Sequence, residues 1–439
     1  MFIYELEDNG MSAEGGLICT HLTPLNYNGY DPTIQDIKKH LDEIGTPESE
    51  PHIPVGFAHA GNCPFQWTKQ IASHYGGTRN GIIFHWPNGI KAKGEIRTQW
   101  HHVIDVTPTI LDIVGLPEPV MVNGVPQRPI EGVSMKYTFD DAKAPSRRTQ
   151  QYFEMFGNRG IYRDGWTAVT KHRTPWLTGQ IKTVKFADDV WELYDTTRDF
   201  SQAENLAAQY PEKLEEMKQL FLVEAAKYQV FPLDDRSFER GNPAIAGRPD
   251  LMVGRKEMKL YKGMRLYELG AAPNLKNTSY TITTTIDSPE GKADGVILAY
   301  GGGPAGQSFY LKGGKPAIWY DWFGTAYKVQ AKDKLPTGRS ELRFHFDYDG
   351  GGLGKGGTMR IIVNGKEVAN GRIEKTVPIC LSMETVDVGL DWGQPVAADY
   401  TSNVFTGGTL GPLLVELGQE EPAKEEHQEL KYHVAMSRQ

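Results

Sequence analysis

Cysteine is scarce in these 439 residues: Cys19, Cys63 and Cys380 are an odd number without a close pair. A disulfide framework and a Cys-rich zinc module are both excluded. Positive charge is in short supply as well. Lys and Arg number 47 against 55 Asp and Glu, a formal net charge of −8, which argues against nucleic acid or an anionic membrane as partner. Long apolar runs are also missing, since none approaches the roughly 20 residues that cross a bilayer. What is present is material for large cores. Apolar residues make up 39% of the chain and charged residues 23%, so wholesale disorder is excluded and two or three domains are expected.

The chain opens on Phe2-Ile3-Tyr4-Glu5-Leu6, which reads as a strand, and runs directly into Glu7-Asp8-Asn9-Gly10. No signal peptide is visible there. A start inside a core-like strand leads us to expect a frame that begins part-way through a larger protein. To about residue 115 strands, loops and helices alternate. Gly81–Pro87 predicts a short strand. In Val103–Val114 the apolar residues at 103, 106, 110, 111 and 114 predict a helix face, kinked at Pro108 or beginning near Thr107, and ended by Gly115.

Residues 150–195 predict an antiparallel patch. Pro211 then opens a helix with Leu214, Met217, Phe221 and Tyr228 on one face. Together these predict an α/β domain over 1–231. Residues 232–255, with three prolines, read as a linker. From 256 to 417 short alternating runs such as Ser279–Ile286 and Glu341–Asp347, separated by glycine clusters, predict a β-sandwich. Residues 418–439 read as a charged tail.

Asp8-Asn9 at a strand end pairs a carboxylate with an amide oxygen, a set that suits a hard cation. An ordinary Asp-Asn-Gly turn fits the same residues. Lys69 and His74, in Phe65–Gly77, could serve an oxyanion substrate, or be a solvated lysine and a packed histidine. Gly350–Gly357 (GGGLGKGG) looks loosely like a phosphate loop, but Gly follows Lys355 and strands flank it, so a hairpin loop is expected. For His101-His102 with Asp105 a structural role at a helix start is expected. Trp319, Tyr320, Trp322 and Tyr327 could stack on sugar rings, although core packing is the better expectation.

Taken together, Asp8-Asn9-Gly10 with Ser12–Gly16, then Lys69, His74–Gly77, His102–Thr109 and Glu192–Asp195 closely resemble the bacterial arylsulfatases in order and spacing over most of residues 1–230. Phe346–Gly352 and Asp387–Asp391 look like the C-terminal extension of large arylsulfatases. The resemblance implies an alkaline-phosphatase-like domain, here its C-terminal part, followed by the β-sandwich. It also implies hydrolysis of a small-molecule sulfate ester by a formylglycine nucleophile, with Ca²⁺ rather than Mg²⁺ bound. Asp8 and Asn9 match metal ligands, Lys69 a lysine that contacts the sulfate, and His74 a supporting position.

The formylglycine motif, Cys/Ser-x-Pro/Ala-x-Arg, is absent. Pro64 follows Cys63 directly, and Ser49-Glu50-Pro51-His52-Ile53 ends in Ile where Arg is required. The family's N-terminal aspartates and its upstream Lys and His are missing too. This chain is therefore expected to hold half of a sulfatase site and to be inactive alone. The reading from another class is a partial chain whose β-sandwich is a binding or interaction module; within the enzyme class, the alternative is a related phosphoester hydrolase.

Overall fold

The computed structural model describes residues 2–6, 9–176, 185–236, 247, 249–268, 270–382 and 384–418. Asp8, much of the expected linker (237–246 and 248) and the tail after Gly418 lie outside the described residues. The chain divides into two compact units. The first draws on residues 1–17, 53–177 and 181–235, and the second on 18–52, 178–180 and 236–439. Strand is the dominant secondary structure. Among the described residues no helix is long and apolar enough to cross a membrane.

In the first unit the opening strand Phe2–Leu6 pairs antiparallel with Gly81–His85. The expected antiparallel patch is a four-stranded sheet in the order Gln150–Met155, Asn158–Arg163, Trp166–Thr170 and Glu192–Asp195. The helix Pro211–Lys227 covers it, as its apolar spacing predicts. Met217, Phe221 and Ala225 are fully buried against Ile161, Ala168 and Leu193. Each such large side chain taken from water contributes roughly 1.5–3 kcal/mol, which is why one amphipathic face suffices to seat the helix.

The helix expected near Thr107 runs over Val106–Val114. Gly115, at φ +72°, ends it in the left-handed region that favours glycine. Pro108 lies within its first turn, where the missing N–H has no intrahelical partner to lose.

The second unit holds two antiparallel sheets. One has six strands, ordered Arg265–Leu266, Val386–Val388, Gly295–Gly302, Ala305–Lys312, Lys315–Trp322 and Thr325–Gln330. The other runs Lys366–Ile373, Gly357–Val363, Gly338–Tyr348, Tyr280–Ser288, Leu413–Leu417 and Glu257–Leu260, with Thr409–Leu410 beside Tyr280–Ser288. Their buried residues share one core. Phe309 of the first sheet meets Phe344 of the second at a ring separation of 5.0 Å. Strict alternation along Tyr280–Ser288 puts Tyr280, Ile282 and Ile286 into that core, because successive side chains of a strand face opposite ways.

Residues 18–52, which lie within the sequence span expected for the first domain, contribute to this second unit. Leu22 is buried in the shared core. Asn28, also buried, accepts from the backbone N–H groups of Ile379 (2.9 Å) and Cys380 (3.0 Å) and donates to the Cys380 carbonyl (2.7 Å).

Candidate functional site

The site forms where the chain leaves its first strand. Asn9 is partly exposed, yet its Oδ1 is buried and has no hydrogen-bond partner among the described residues. Gly10 follows at φ +79°. A Cβ there would stand 1.9 Å from the Gly76 carbonyl oxygen, so both conformation and space require glycine. The Gly10 N–H donates to Asn80 Oδ1 (3.2 Å).

Asn62, at the end of the helix Val55–Asn62, joins three segments. Its Oδ1 accepts from Met11 N (2.9 Å), and its amide donates to the carbonyls of Trp67 (3.1 Å) and Gly76 (3.0 Å). The Lys69 N–H closes the ring onto the Met11 carbonyl at 3.0 Å. Asn9 and Lys69 are thereby carried on two loops fixed to each other through backbone groups. A buried amide that spends both its ends on carbonyl and N–H groups resists any loop shift, because each lost bond leaves a polar group unsatisfied.

The side chain of Lys69 is engaged. Its Nζ lies 3.0 Å from Glu14 Oε2, which also accepts from Ser12 Oγ at 2.8 Å, while Gln70 Nε2 reaches the other carboxylate oxygen at 2.5 Å. About a third of the lysine side chain remains exposed. Glu14 thus orients the ammonium group and leaves it within reach of solvent, a state suited to receiving an oxyanion.

His74 is placed differently. It is 1% exposed, with Nδ1 2.9 Å from Ser73 Oγ and Nε2 3.1 Å from Glu192 Oε2. The His74 hydrogen bond holds the Glu192 carboxyl below its ordinary range against the opposing effect of burial, and the Tyr194 hydroxyl adds a second bond. Both ring nitrogens are therefore occupied by protein, and His74 positions the 73–77 turn on the strand Glu192–Asp195.

Asn158, with no exposed surface, extends the same scaffold. Its amide donates to the Gln70 carbonyl (3.1 Å), and its Oδ1 accepts from the N–H groups of His172 (2.9 Å) and Arg173 (3.1 Å). Neither Asn62 nor Asn158 announces itself in the sequence. Each works through partners up to 88 residues distant, which no local pattern reports.

The remaining candidates are structural. Asp105 is buried and grips Arg148, accepting also from the N–H groups of His102 (3.0 Å) and Val133 (2.7 Å). His101 Nδ1 stands 3.8 Å from its carboxylate, within ion-pair range and beyond a hydrogen bond. Among the described residues no group of three or more His, Cys, Asp and Glu could hold a metal ion; Asp8 is not one of these residues.

Gly350–Gly357 connects the strands Gly338–Tyr348 and Gly357–Val363, with the Lys355 N–H donating to Tyr348 Oη at 2.9 Å, and opens no helix. The aromatic group 319–327 does not form one platform. Tyr320, Trp322 and Tyr327 belong to the shared core, whereas Trp319 packs with Tyr310 and Tyr400 in a separate cluster.

With this geometry in place, likeness to known proteins can be stated. Residues 66–226 match the family described as N-sulphoglucosamine sulphohydrolase, C-terminal. An uncharacterized sulfatase of Schizosaccharomyces pombe is 27% identical over 236 residues, which are 53% of this chain and 39% of that protein. The chain spans about two fifths of the length of this curated relative.

Among solved structures, a sulfatase from a glycosaminoglycan-metabolism locus of Bacteroides thetaiotaomicron is 20% identical at a TM-score of 0.27, covering 36% of this chain and 31% of its own. The CBM40 of a Ruminococcus gnavus IT-sialidase, bound to α2,3-sialyllactose, is 13% identical at a TM-score of 0.27, covering 39% and 94%. At these TM-scores the likeness fixes no architecture. Residues 66–226 thus match a sulfatase C-terminal portion, the part of the chain in which its likeness to the sulfatases lies.

Proposed function

We propose that this chain is the C-terminal part of an alkaline-phosphatase-like arylsulfatase domain followed by a β-sandwich, carrying the sulfate-holding half of the site. The observation that supports this reading is that an oriented, solvent-reachable Lys69 and Asn9 Oδ1, a buried oxygen without a partner among the described residues, sit on loops locked together by Asn62. A buried acceptor left open in a native fold calls for an occupant. The amide of Asn9 and the carboxylate of its sequence neighbour Asp8 are oxygen donors of the kind Ca²⁺ prefers, and Mg²⁺ with its stricter geometry suits them less. When bound, the cation would withdraw charge from the sulfuryl oxygens.

Lys69 would stabilise the charge on those oxygens, with Glu14 holding its ammonium in place until substrate arrives. His74 acts at one remove, through Glu192 and the turn it anchors. The substrate is a small sulfate ester. No nucleophile of the Cys/Ser-x-Pro/Ala-x-Arg type is encoded in this sequence, so these residues alone bind the ester without turning it over.

Titration of phenyl sulfate into the chain, followed by calorimetry, tests the reading. Binding that Lys69→Ala weakens is the expected result. Tighter binding of phenyl phosphate than of phenyl sulfate would favour a phosphoester hydrolase instead, and no binding of either would leave only the β-sandwich as a functional module.

A further inference from the structure

A second cation lies against Trp67, on the loop that carries Lys69, and has no counter-ion among the described residues. Lys171 follows the strand Trp166–Thr170, in the segment that Asn158 fixes against residue 70. Its Nζ lies 4.6 Å from the centre of the Trp67 ring, two residues before Lys69 in sequence, and among the described residues makes one long hydrogen bond, 3.3 Å to Thr174 Oγ1. Among the described residues no carboxylate comes within ion-pair distance of it. Glu192 is the acidic group whose charge it feels, and that carboxylate is already taken by His74 and Tyr194. Burial pushes the Lys171 ammonium below its ordinary pKa.

An ammonium group offers three donors. One that is half-buried, with two donors unused and no partner charge among the described residues, carries a desolvation cost that an arriving anion would relieve. The aromatic face offsets part of that cost and also fixes the direction of the side chain, toward the loop that carries Lys69.

We propose that Lys171 is a second anion-binding residue of this site, so that the sulfate esters it accepts bear a further oxyanion, a carboxylate or a second sulfate, alongside the scissile one. The inference rests on the reading of Lys69 as the sulfate contact and narrows the substrate class.

Calorimetric titration of the chain with phenyl sulfate and with 2-, 3- and 4-carboxyphenyl sulfate tests it, the three isomers placing the second charge at three distances. At least one carboxyphenyl sulfate should bind about tenfold tighter than phenyl sulfate, the gain of a single charge-assisted hydrogen bond. Lys171→Met should erase that gain and Lys171→Arg should keep it. Equal affinity for all four ligands, or a gain that survives Lys171→Met, would overturn the assignment even where Lys69→Met still weakens every ligand. Absence of binding by all four would overturn the sulfate site itself, and the assignment of Lys171 with it.

Discussion

Arg148 grips the buried carboxylate of Asp105 with its Nε and Nη2, at 2.9 Å from Oδ2 and 2.5 Å from Oδ1. The partners are 43 residues apart in sequence. The remaining guanidinium donors reach the Glu131 carbonyl (3.0 Å) and Gln151 Oε1 (3.1 Å), so one side chain ties the helix start to the first strand of the four-stranded sheet. Burial alone would raise the Asp105 carboxyl. His101, Arg148 and the N–H groups of Val133 and His102 outweigh it and hold the group well below the usual carboxylate range.

Removing one member of this pair leaves the other charged and buried. Arg148→Ala should therefore destabilise the first unit by about 3–5 kcal/mol. Asp105 is depressed in the folded state, so its contribution is complete above the ordinary carboxylate range and is lost as pH falls through the folded value. Thermal unfolding followed from pH 7 down to 3 should show the wild-type midpoint falling below about pH 4, and Asp105→Asn should flatten that part of the curve. A midpoint equally pH-dependent in Asp105→Asn would contradict the account.

Asn28 serves the second unit in a comparable way. Asn28→Ala would strand the N–H groups of Ile379 and Cys380 and the Cys380 carbonyl, a loss of roughly 2–4 kcal/mol. It also bears on proteolysis. Cleavage within 232–255 should leave residues 18–52 attached to the β-rich fragment, the pieces co-eluting on size exclusion until Asn28→Ala or denaturant parts them. A β fragment that elutes free of residues 18–52 without either treatment would count against this.

These relationships show what the sequence does and does not reveal. The helix Pro211–Lys227 and the strand Tyr280–Ser288 are legible because one face of each is buried, and burial imprints a period of 3.6 or 2 on the residues themselves. Asn28 leaves no such imprint. Besides the nearby Pro24 carbonyl, its partners lie 351 and 352 residues away, and a buried amide looks like any turn asparagine until the fold is known. Lys69 stands as a candidate through its resemblance to a family lysine, but its engagement by Glu14 is not legible in the sequence, since a pairing across 55 residues is set by the loops that Asn62 holds. Lys171 looks like a strand-end lysine until Trp67 is seen beneath it.

The chain should not hydrolyse an aryl sulfate, with or without added Ca²⁺, because positioned charges do not replace a covalent nucleophile. Release of 4-nitrophenol from 4-nitrophenyl sulfate is the assay. Turnover that persists through purification and disappears in Lys69→Ala would show that a nucleophile is present after all.

Asn9 and Asp8 are proposed above as cation ligands, and two side chains do not complete a Ca²⁺ shell. Ca²⁺ takes six to eight oxygen ligands, and two side chains supply a minority of them; water can fill the rest without offsetting the charge. Titration of Ca²⁺ into the intact chain by calorimetry is the most direct test. The account predicts weak binding, with Kd on the order of 10⁻³ M, removed by Asn9→Ala and by Asp8→Ala. Micromolar affinity would mean that the site is complete within this chain, and binding unchanged by Asn9→Ala would place the cation elsewhere.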